Sequence, residues 1–314
     1  MRSAQDRTGR MHVVVTCSHR KTRPVPARLH LRRVTAVRAA TRARNWTARL
    51  ASDPTIAVPA SSLYAGAHWD IARRLPSHAT PSTQVAVWVC SAGYGLIPAD
   101  APIRPYSATF AAAQPDSVPG GRPAAVDWWA ALTGWTGPTP TPRSLTALAA
   151  QDPASRLLLV LSAPYLAACR ADVLGAAGAL ADASRLSVVS AGTKTDAELT
   201  EFLLPTDARL EHALGGTRQS LNVRIAEHLL ASGDYEHAAM RDRLTRLLAD
   251  QPPPRRFTRR GMTDEEVRVF IRSRLEQDAD VTHTRLLREL RNSDRACEQH
   301  RFADLFHAER AVLR

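Results

Sequence analysis

Residues 12–18 read HVVVTCS, and the same form returns three times: VAVWVCSAG at 85–93, LLLVLSAPY at 157–165 and LSVVSAG at 186–192. Each is a short, β-rich apolar run with a serine at its end, and three continue with alanine. Runs of this length are too short to span a membrane and suit strands buried on both faces. Helical spacing fills the intervals at 28–50, 63–75, 123–132, 143–151 and 165–182. Apolar strands alternating with helices predict an α/β fold with a mostly parallel sheet and helices on both faces. In such sheets ligands bind outside the carboxyl ends of the strands. Cys17 and Ser18, Ser91 and Gly93, Ser162, and Ser190 and Gly192 stand at four such ends and would line one shared pocket. Ser, Ala and Gly also simply end strands well, and both readings stand at this point.

The chain has 314 residues, enough for one large domain and a small one. With 44% apolar and 23% charged residues the composition is globular. The net charge is +12, and of the 42 basic residues only Lys21 and Lys194 are lysine. The arginine excess fits a GC-rich genome, yet the charge itself favours polyanionic partners such as nucleic acid. The first 49 residues hold 13 basic side chains against one acid, Asp6, and a helix is expected over 26–51. That helix is either a surface element with its arginine stems laid on apolar neighbours or a strip that faces phosphates.

Four cysteines (Cys17, Cys90, Cys169, Cys297) lie far apart without a CxxC pair. They suggest neither a disulfide framework nor a zinc site and fit a reducing cytoplasm. The histidines show no HExxH spacing, so no metal is expected. No Walker loop or GxGxxG follows a strand, which disfavours ATP and NAD, and no cofactor is expected. A GxSxG elbow is missing as well, which weakens an ester hydrolase. No membrane partner is expected, because no apolar run is long enough and the basic residues 1–11 lack a signal-peptide core.

The expected organisation is a flexible N-terminus at 1–11, an α/β core at 12–250, a linker at 251–260 (QPPPRRFTRR) and a helical domain at 261–314. Residues 98–122 and 133–143, rich in Pro and Gly, read as long ordered loops or a lid. Gly215 and Gly216 precede a helix bearing Leu221, Ile225 and Leu229, so Gly216, Thr217 and Arg218 are candidates to hold an anion. In the last domain Thr263 and Glu266 form a capping box, Thr282 or Thr284 caps a second helix, and a break falls near Asn292–Asp294. The pattern is helix-turn-helix-like, with Arg285, Arg288 and Arg291 as candidate DNA contacts. From residue 251 onward 14 basic face 11 acidic residues, so a protein-interaction module is the alternative.

Three segments together carry a resemblance: CSHRK at 17–21, SSLYAGAHW at 61–69, and SAGYGLIPADAPIRPYSATF at 91–110. They resemble a group of uncharacterised bacterial proteins with CSxxK, LYxG and SAxYGL…D…I.PY elements. That group is distantly similar to YaaA-type peroxide-stress DNA-binding proteins and to the core module of archaeosine synthases, relatives of tRNA-guanine transglycosylases. The resemblance covers about residues 12–110. It implies an α/β core that handles a nucleobase or nucleic acid, DNA before RNA. The PUA pattern and clustered zinc cysteines of the archaeosine relatives are not found here, which puts base exchange on tRNA in doubt. The tail LLRELR…ACEQHRFADLF resembles helix-turn-helix tails of bacterial DNA-associated proteins.

Cleavage of an N-glycosidic bond needs a carboxylate, a donor for the departing base, and aromatic groups to hold it. Segment 91–110 offers Asp100, the hydroxyls of Tyr94 and Tyr106, and backbone donors around Gly93 and Gly95; Tyr64 stands in the second segment. Lys21, just past the first strand end, could supply a compact or titratable charge. Asp100 equally suits a turn-capping role beside Pro98 and Pro102, the tyrosines suit loop packing, and Cys17 and Cys90 suit small buried positions. Three functions follow as expectations. The first is a DNA N-glycosidase removing a modified or damaged base, in repair or anti-phage defence, with Asp100, Tyr106 and Lys21 as its catalytic set. The second is a non-enzymatic, protective DNA-binding protein. The third is a nucleotide sensor whose helical tail binds a partner.

Overall fold

The four serine-ended runs form four strands of one sheet. The computed structural model describes residues 9–36, 38–139, 142–193, 196–252 and 259–312. It divides into two units, Met1–Pro252 and Pro253–Arg314, each with its own apolar core. In chain order the first unit holds β1 (Gly9–Thr16), α1 (Ala39–Ser52), β2 (Val58–Pro59), α2 (Ala60–Leu63), α3 (Ala67–Ala72), β3 (Thr83–Ser91), β4 (Gly95–Pro98), β5 (Pro102–Ile103), α4 (Gly121–Thr133), α5 (Leu145–Gln151), β6 (Arg156–Val160), α6 (Ala163–Ala168), α7 (Arg170–Ala179), β7 (Leu186–Val189), α8 (Leu210–Leu214), α9 (Leu221–Leu230) and α10 (His237–Ala249).

The sheet order is β4-β3-β1-β6-β7. β1 pairs in parallel with β3 and β6, β6 pairs in parallel with β7, and β4 runs antiparallel to β3. Every residue from Met11 to Val15 and from Leu157 to Val160 is buried, as strands covered on both faces require. One packed group of helices joins α1, α4 and α6, and another joins α3, α8 and α9.

Both sheet edges are covered. Along β7, Val188 N–H donates to the Phe202 carbonyl at 2.8 Å, and Leu204 N–H donates back to Val188 at 2.9 Å. Along β4, the buried Arg143 guanidinium donates to the carbonyls of Tyr94 and Leu96, and also to that of Trp135. Burial lowers the Arg143 pKa to about 10, and three carbonyls solvate a charge that, among the described residues, no carboxylate meets.

Four expectations are corrected. Strand β1 starts at Gly9, so residues 9–11 are not a tail, while residues 1–8 lie outside the described residues. The helix expected over 26–51 begins only at Ala39. Leu31 N–H donates to Ser107 O at 2.9 Å and Ser107 N–H to Leu29 O at 2.8 Å, and this pairing holds 29–31 out of the helix. Within the expected loop region 98–122, Pro98 closes edge strand β4 and Pro102–Ile103 form β5. The expected linker at 251–260 falls partly on residues 253–258, outside the described residues, and its last residue, Arg260, pairs in a strand with Gly261.

The second unit comprises β8 (Arg260–Gly261), α11 (Asp264–Leu275), α12 (His283–Asn292), β9 (Arg295–Ala296) and α13 (Gln299–Val312). The Thr263–Glu266 capping box is present, and Thr282, not Thr284, caps α12. The parallel β8–β9 pair has no counterpart in the sequence reading. Leu286, Leu287 and Leu290 pack with Val267, Ile271, Phe302 and Phe306. Buried Glu309 on α13 accepts from Arg268 at 2.7 Å and from Arg272 at 2.5 Å. Among the described residues, no helix is long and apolar enough to cross a membrane.

His12 on β1 is buried, and its Nδ1 accepts from Trp88 Nε1 at 2.9 Å. Burial first, then the Arg10 charge, lowers its pKa from 6.5 to about 4, against the opposing pull of Asp152. The folded state therefore favours the neutral ring. Its contribution is complete above pH 6.5 and is lost as pH falls from there to about 4. Replacing His12 by Asn is expected to flatten the acid limb of stability over that window by about 3 kcal/mol. Urea titrations at pH 7 and pH 4 check it, and equal losses in both proteins would refute it.

Candidate functional site

The chain leaves β1 toward β3 and leaves β6 toward β7, on opposite sides. The carboxyl ends of β1 and β6 thus flank the topological switch point, where open α/β sheets leave a crevice. Cys17 closes β1 there, and its Sγ lies 3.2 Å from the hydroxyl of Tyr165 on α6. That hydroxyl reaches on to Thr109 Oγ1 at 3.5 Å.

Three distant segments meet at this edge. Lys21 and Tyr64 form an antiparallel bridge, flanked by Ala65 N–H to Arg20 O at 3.0 Å and Thr22 N–H to Leu63 O at 2.8 Å. The Tyr64 hydroxyl lies 2.9 Å from that of Tyr106, which lies 2.7 Å from Ser91 Oγ. Ser91 Oγ accepts the N–H groups of Gly93 and Tyr94 at 3.2 and 3.0 Å. With its acceptor sites taken, Ser91 donates to Tyr106, which in turn donates to Tyr64. Residues 17–21, 61–69 and 91–110 therefore close on one buried hydroxyl chain.

Lys21 caps it. The Nζ sits 4.6 Å from the Tyr106 ring centroid and 5.7 Å from that of Tyr64, and donates to Ser18 O at 2.7 Å. Burial depresses the Lys21 pKa, opposed by Cys17 and Asp116. A desolvated ammonium gives up its proton more readily and leaves a nucleophilic amine. Burial also drives the phenols of Tyr64, Tyr106 and Tyr165 well above their ordinary value, so all three remain neutral.

A second pair was not visible in the sequence. Buried Asp116 accepts from His30 Nδ1 at 2.9 Å, from Arg32 N–H at 3.0 Å and from Arg32 Nη1 at 2.7 Å. Burial alone would raise its pKa, but the hydrogen bonds from His30 and Arg32 hold the carboxyl below its usual range. Ionised Asp116 fixes the hydrogen of His30 on Nδ1 and leaves the other ring nitrogen to accept or relay a proton. His30 pairs with Ser107 and Thr109 with Ser117, and these bridges bring residues 30 and 116 together across 86 positions of sequence. His68 joins the same edge; burial pushes its pKa down to about 4 against the Thr16 backbone, and among the described residues its Nε2 has no hydrogen-bond partner.

Other expected site residues are placed differently. Asp100 is exposed. It follows Ala99, whose N–H meets Val87 O, four residues back along β3 from Ser91 and so about 13 Å from it. The carbonyls of Ala99 and Ala101 accept from Ser61 and Ala60 N–H at 2.7 and 2.9 Å, so the turn that carries Asp100 rests on α2. Tyr94 is buried, and its hydroxyl accepts from Arg104 N–H at 3.0 Å. The N–H groups of Gly93 and Tyr94 are used by Ser91, and the carbonyls of Ala92 and Gly93 accept from Trp128 and Trp46. The segment 91–95, Gly95 included, is thereby a packed support for Tyr106 and presents no free donors at Gly93. Ser18 Oγ ties to Ala65 O at 2.8 Å and stabilises the turn.

Ser162 is half-buried at the end of β6; Ser190 is buried against Thr193 Oγ1 at 2.6 Å, and Gly192 is exposed beside it. Asn222 on α9 ties these strand ends, donating to Leu161 O and accepting from Ala191 N–H, both at 3.0 Å. Gly216, Thr217 and Arg218 are exposed just before α9, where Arg224 covers Gly216 and Arg218 lies 3.7 Å from Glu211. In the second unit Arg285 lies 3.6 Å from Asp278, Arg288 is exposed, and Arg291 donates to Cys297 O at 3.4 Å. Among the described residues, no group of three or more His, Cys, Asp or Glu side chains could hold a metal ion.

Comparison with family models, with curated proteins and with solved structures finds no match to the chain.

Proposed function

We propose that the chain is a nucleic-acid N-glycosidase, acting on a modified or damaged base in DNA, with Lys21 as the attacking amine. The observation that supports this reading is the desolvated Lys21 ammonium, seated on the Tyr106 ring, in a chain whose other basic residues are all arginine except Lys194. The neutral amine displaces the base at C1′; the C1′–N bond breaks, and the base leaves with the electron pair and takes a proton. His30, with Nδ1 bonded to Asp116, would relay to the base the proton that the Lys21 ammonium gives up. Sugar ring opening gives an iminium on Lys21, and water hydrolyses it to the abasic sugar and the free amine.

Borohydride reduces such an iminium to a stable amine. Mixing the protein with DNA carrying damaged bases, plus borohydride, is expected to yield a covalent protein–DNA adduct. Lys21→Met and Lys21→Arg are both expected to abolish it while DNA binding persists. Absence of adduct and of released base across the substrates would overturn the reading.

Protective DNA binding without chemistry is the second reading. The first 49 residues carry an excess of twelve positive charges, equal to the whole net charge. Arg20, Arg23, Arg33 and Arg38 among them are exposed and, among the described residues, have no carboxylate partner. It requires binding that weakens steeply with salt, without product.

A further inference from the structure

Two cavities of about 350 and 320 Å³ adjoin along α6 and share Arg122 and Ala167. Each falls within the small-ligand range of roughly 300–1,000 Å³. The first is walled by Leu166, Gly192 and Leu199, at the carboxyl ends of β6 and β7. Phe110, Val118 and Ala125 wall the second.

Between the two lobes stands an unused cation. Arg122 is exposed and, among the described residues, has neither hydrogen bond nor ion pair. Arg170, on the first lobe, is by contrast committed to Asp196 at 2.6 Å and to Glu198. The backbone is bare toward both lobes. Gly121 and Gly192 have φ of +70° and +81°, and a Cβ at either would meet nothing within 4 Å.

The second lobe adjoins the Lys21 edge. Its Phe110 ring packs edge-on against Tyr165 with centroids 5.0 Å apart, and the Tyr165 hydroxyl meets Cys17. Ser117, also on its wall, follows Asp116 in the chain.

We infer that the two lobes take two consecutive nucleotides of an unpaired strand, with the linking phosphate on Arg122. One free guanidinium matches one phosphodiester charge. Phe110 offers the second lobe an aromatic face for a base, and Leu166 and Leu199 give the first lobe an apolar wall for its neighbour. The choice of nucleic acid rests on the function proposed above; the two-lobed geometry does not.

Calorimetric titration with thymidylyl-thymidine, thymidine 5′-monophosphate and thymidine tests it. The dinucleoside monophosphate is expected to bind tightest. Arg122→Gln is expected to weaken it roughly fivefold or more and to leave thymidine unchanged. Ala167→Phe, which narrows the junction, is expected to weaken the dinucleotide more than the mononucleotide. Equal affinity for all three probes, no binding, or indifference to Arg122→Gln would overturn the inference. Dinucleotide binding without a borohydride adduct would remove the glycosidase chemistry and keep this site. An adduct with Arg122→Gln indifferent would do the reverse.

Discussion

Gly93→Ala is expected to lower the thermal midpoint of the first unit by roughly 6–12 °C and to silence the Lys21 site with it. The φ of Gly93 is not positive, so the requirement is space alone. An added Cβ would stand 2.3 and 2.5 Å from two carbons of the Tyr106 ring. That ring is fully buried, edge-on to Trp46, and tied by hydrogen bonds to Ser91 and Tyr64. Overpacking of a held ring costs about 3 kcal/mol. Because Lys21 rests on the same ring, the displacement reaches the amine. Tyr106→Leu alone loses packing and two hydrogen bonds. Combined with Gly93→Ala it removes the clash, so the pair should cost less than the sum of the singles. Calorimetry of all three variants checks this. A fall below about 2 °C for Gly93→Ala, or strict additivity, would sink it.

The second large effect lies in the other unit. Glu309→Ala is expected to lower the melting of the helical unit by roughly 10–20 °C, corresponding to about 2–3 kcal/mol. The carboxylate is 5% exposed and satisfies two guanidiniums, on Arg268 and Arg272. Its removal leaves two cations from α11 facing each other. Those arginines are 34% and 44% exposed, so water recovers part of the loss. Hydrogen bonds from Arg272 and then Arg268 hold the Glu309 carboxyl below its ordinary range, so this contribution is present above about pH 4.5 and is lost as pH falls below it. Glu309→Gln, which keeps shape and acceptor, should lose less than Glu309→Ala. Circular dichroism of the full chain reads both units. One unchanged transition in Glu309→Ala would refute the assignment.

The sheet was legible because its signal is local: four apolar runs give the four parallel strands of one sheet. Leu29 and Leu31 show where local reading fails. Their spacing suits one helix, yet pairing with Ser107 leaves two short 3-10 turns, Ala27–Leu29 and Leu31–Arg33, about an extended His30, and no short-range pattern reports a partner so far along the chain. The same pairing hides the His30–Asp116 couple. Motif context singled out Lys21 and Tyr106, which the fold brings into contact, and Asp100, which it leaves exposed after β4. Arg122 had a readable cue. It follows Gly120 and Gly121 at a helix start, the arrangement noticed only at Gly215 and Gly216.

The coverings on β4 and β7 bear on how the protein behaves at high concentration. An open strand edge is a template on which another chain can add, and amyloid grows in that way. Here one edge spends its outward groups on residues 202–204, and the other on a guanidinium that cannot itself continue a ladder. Edge-to-edge growth between native copies is closed off from both sides, so any self-association of the folded first unit has to proceed through its faces.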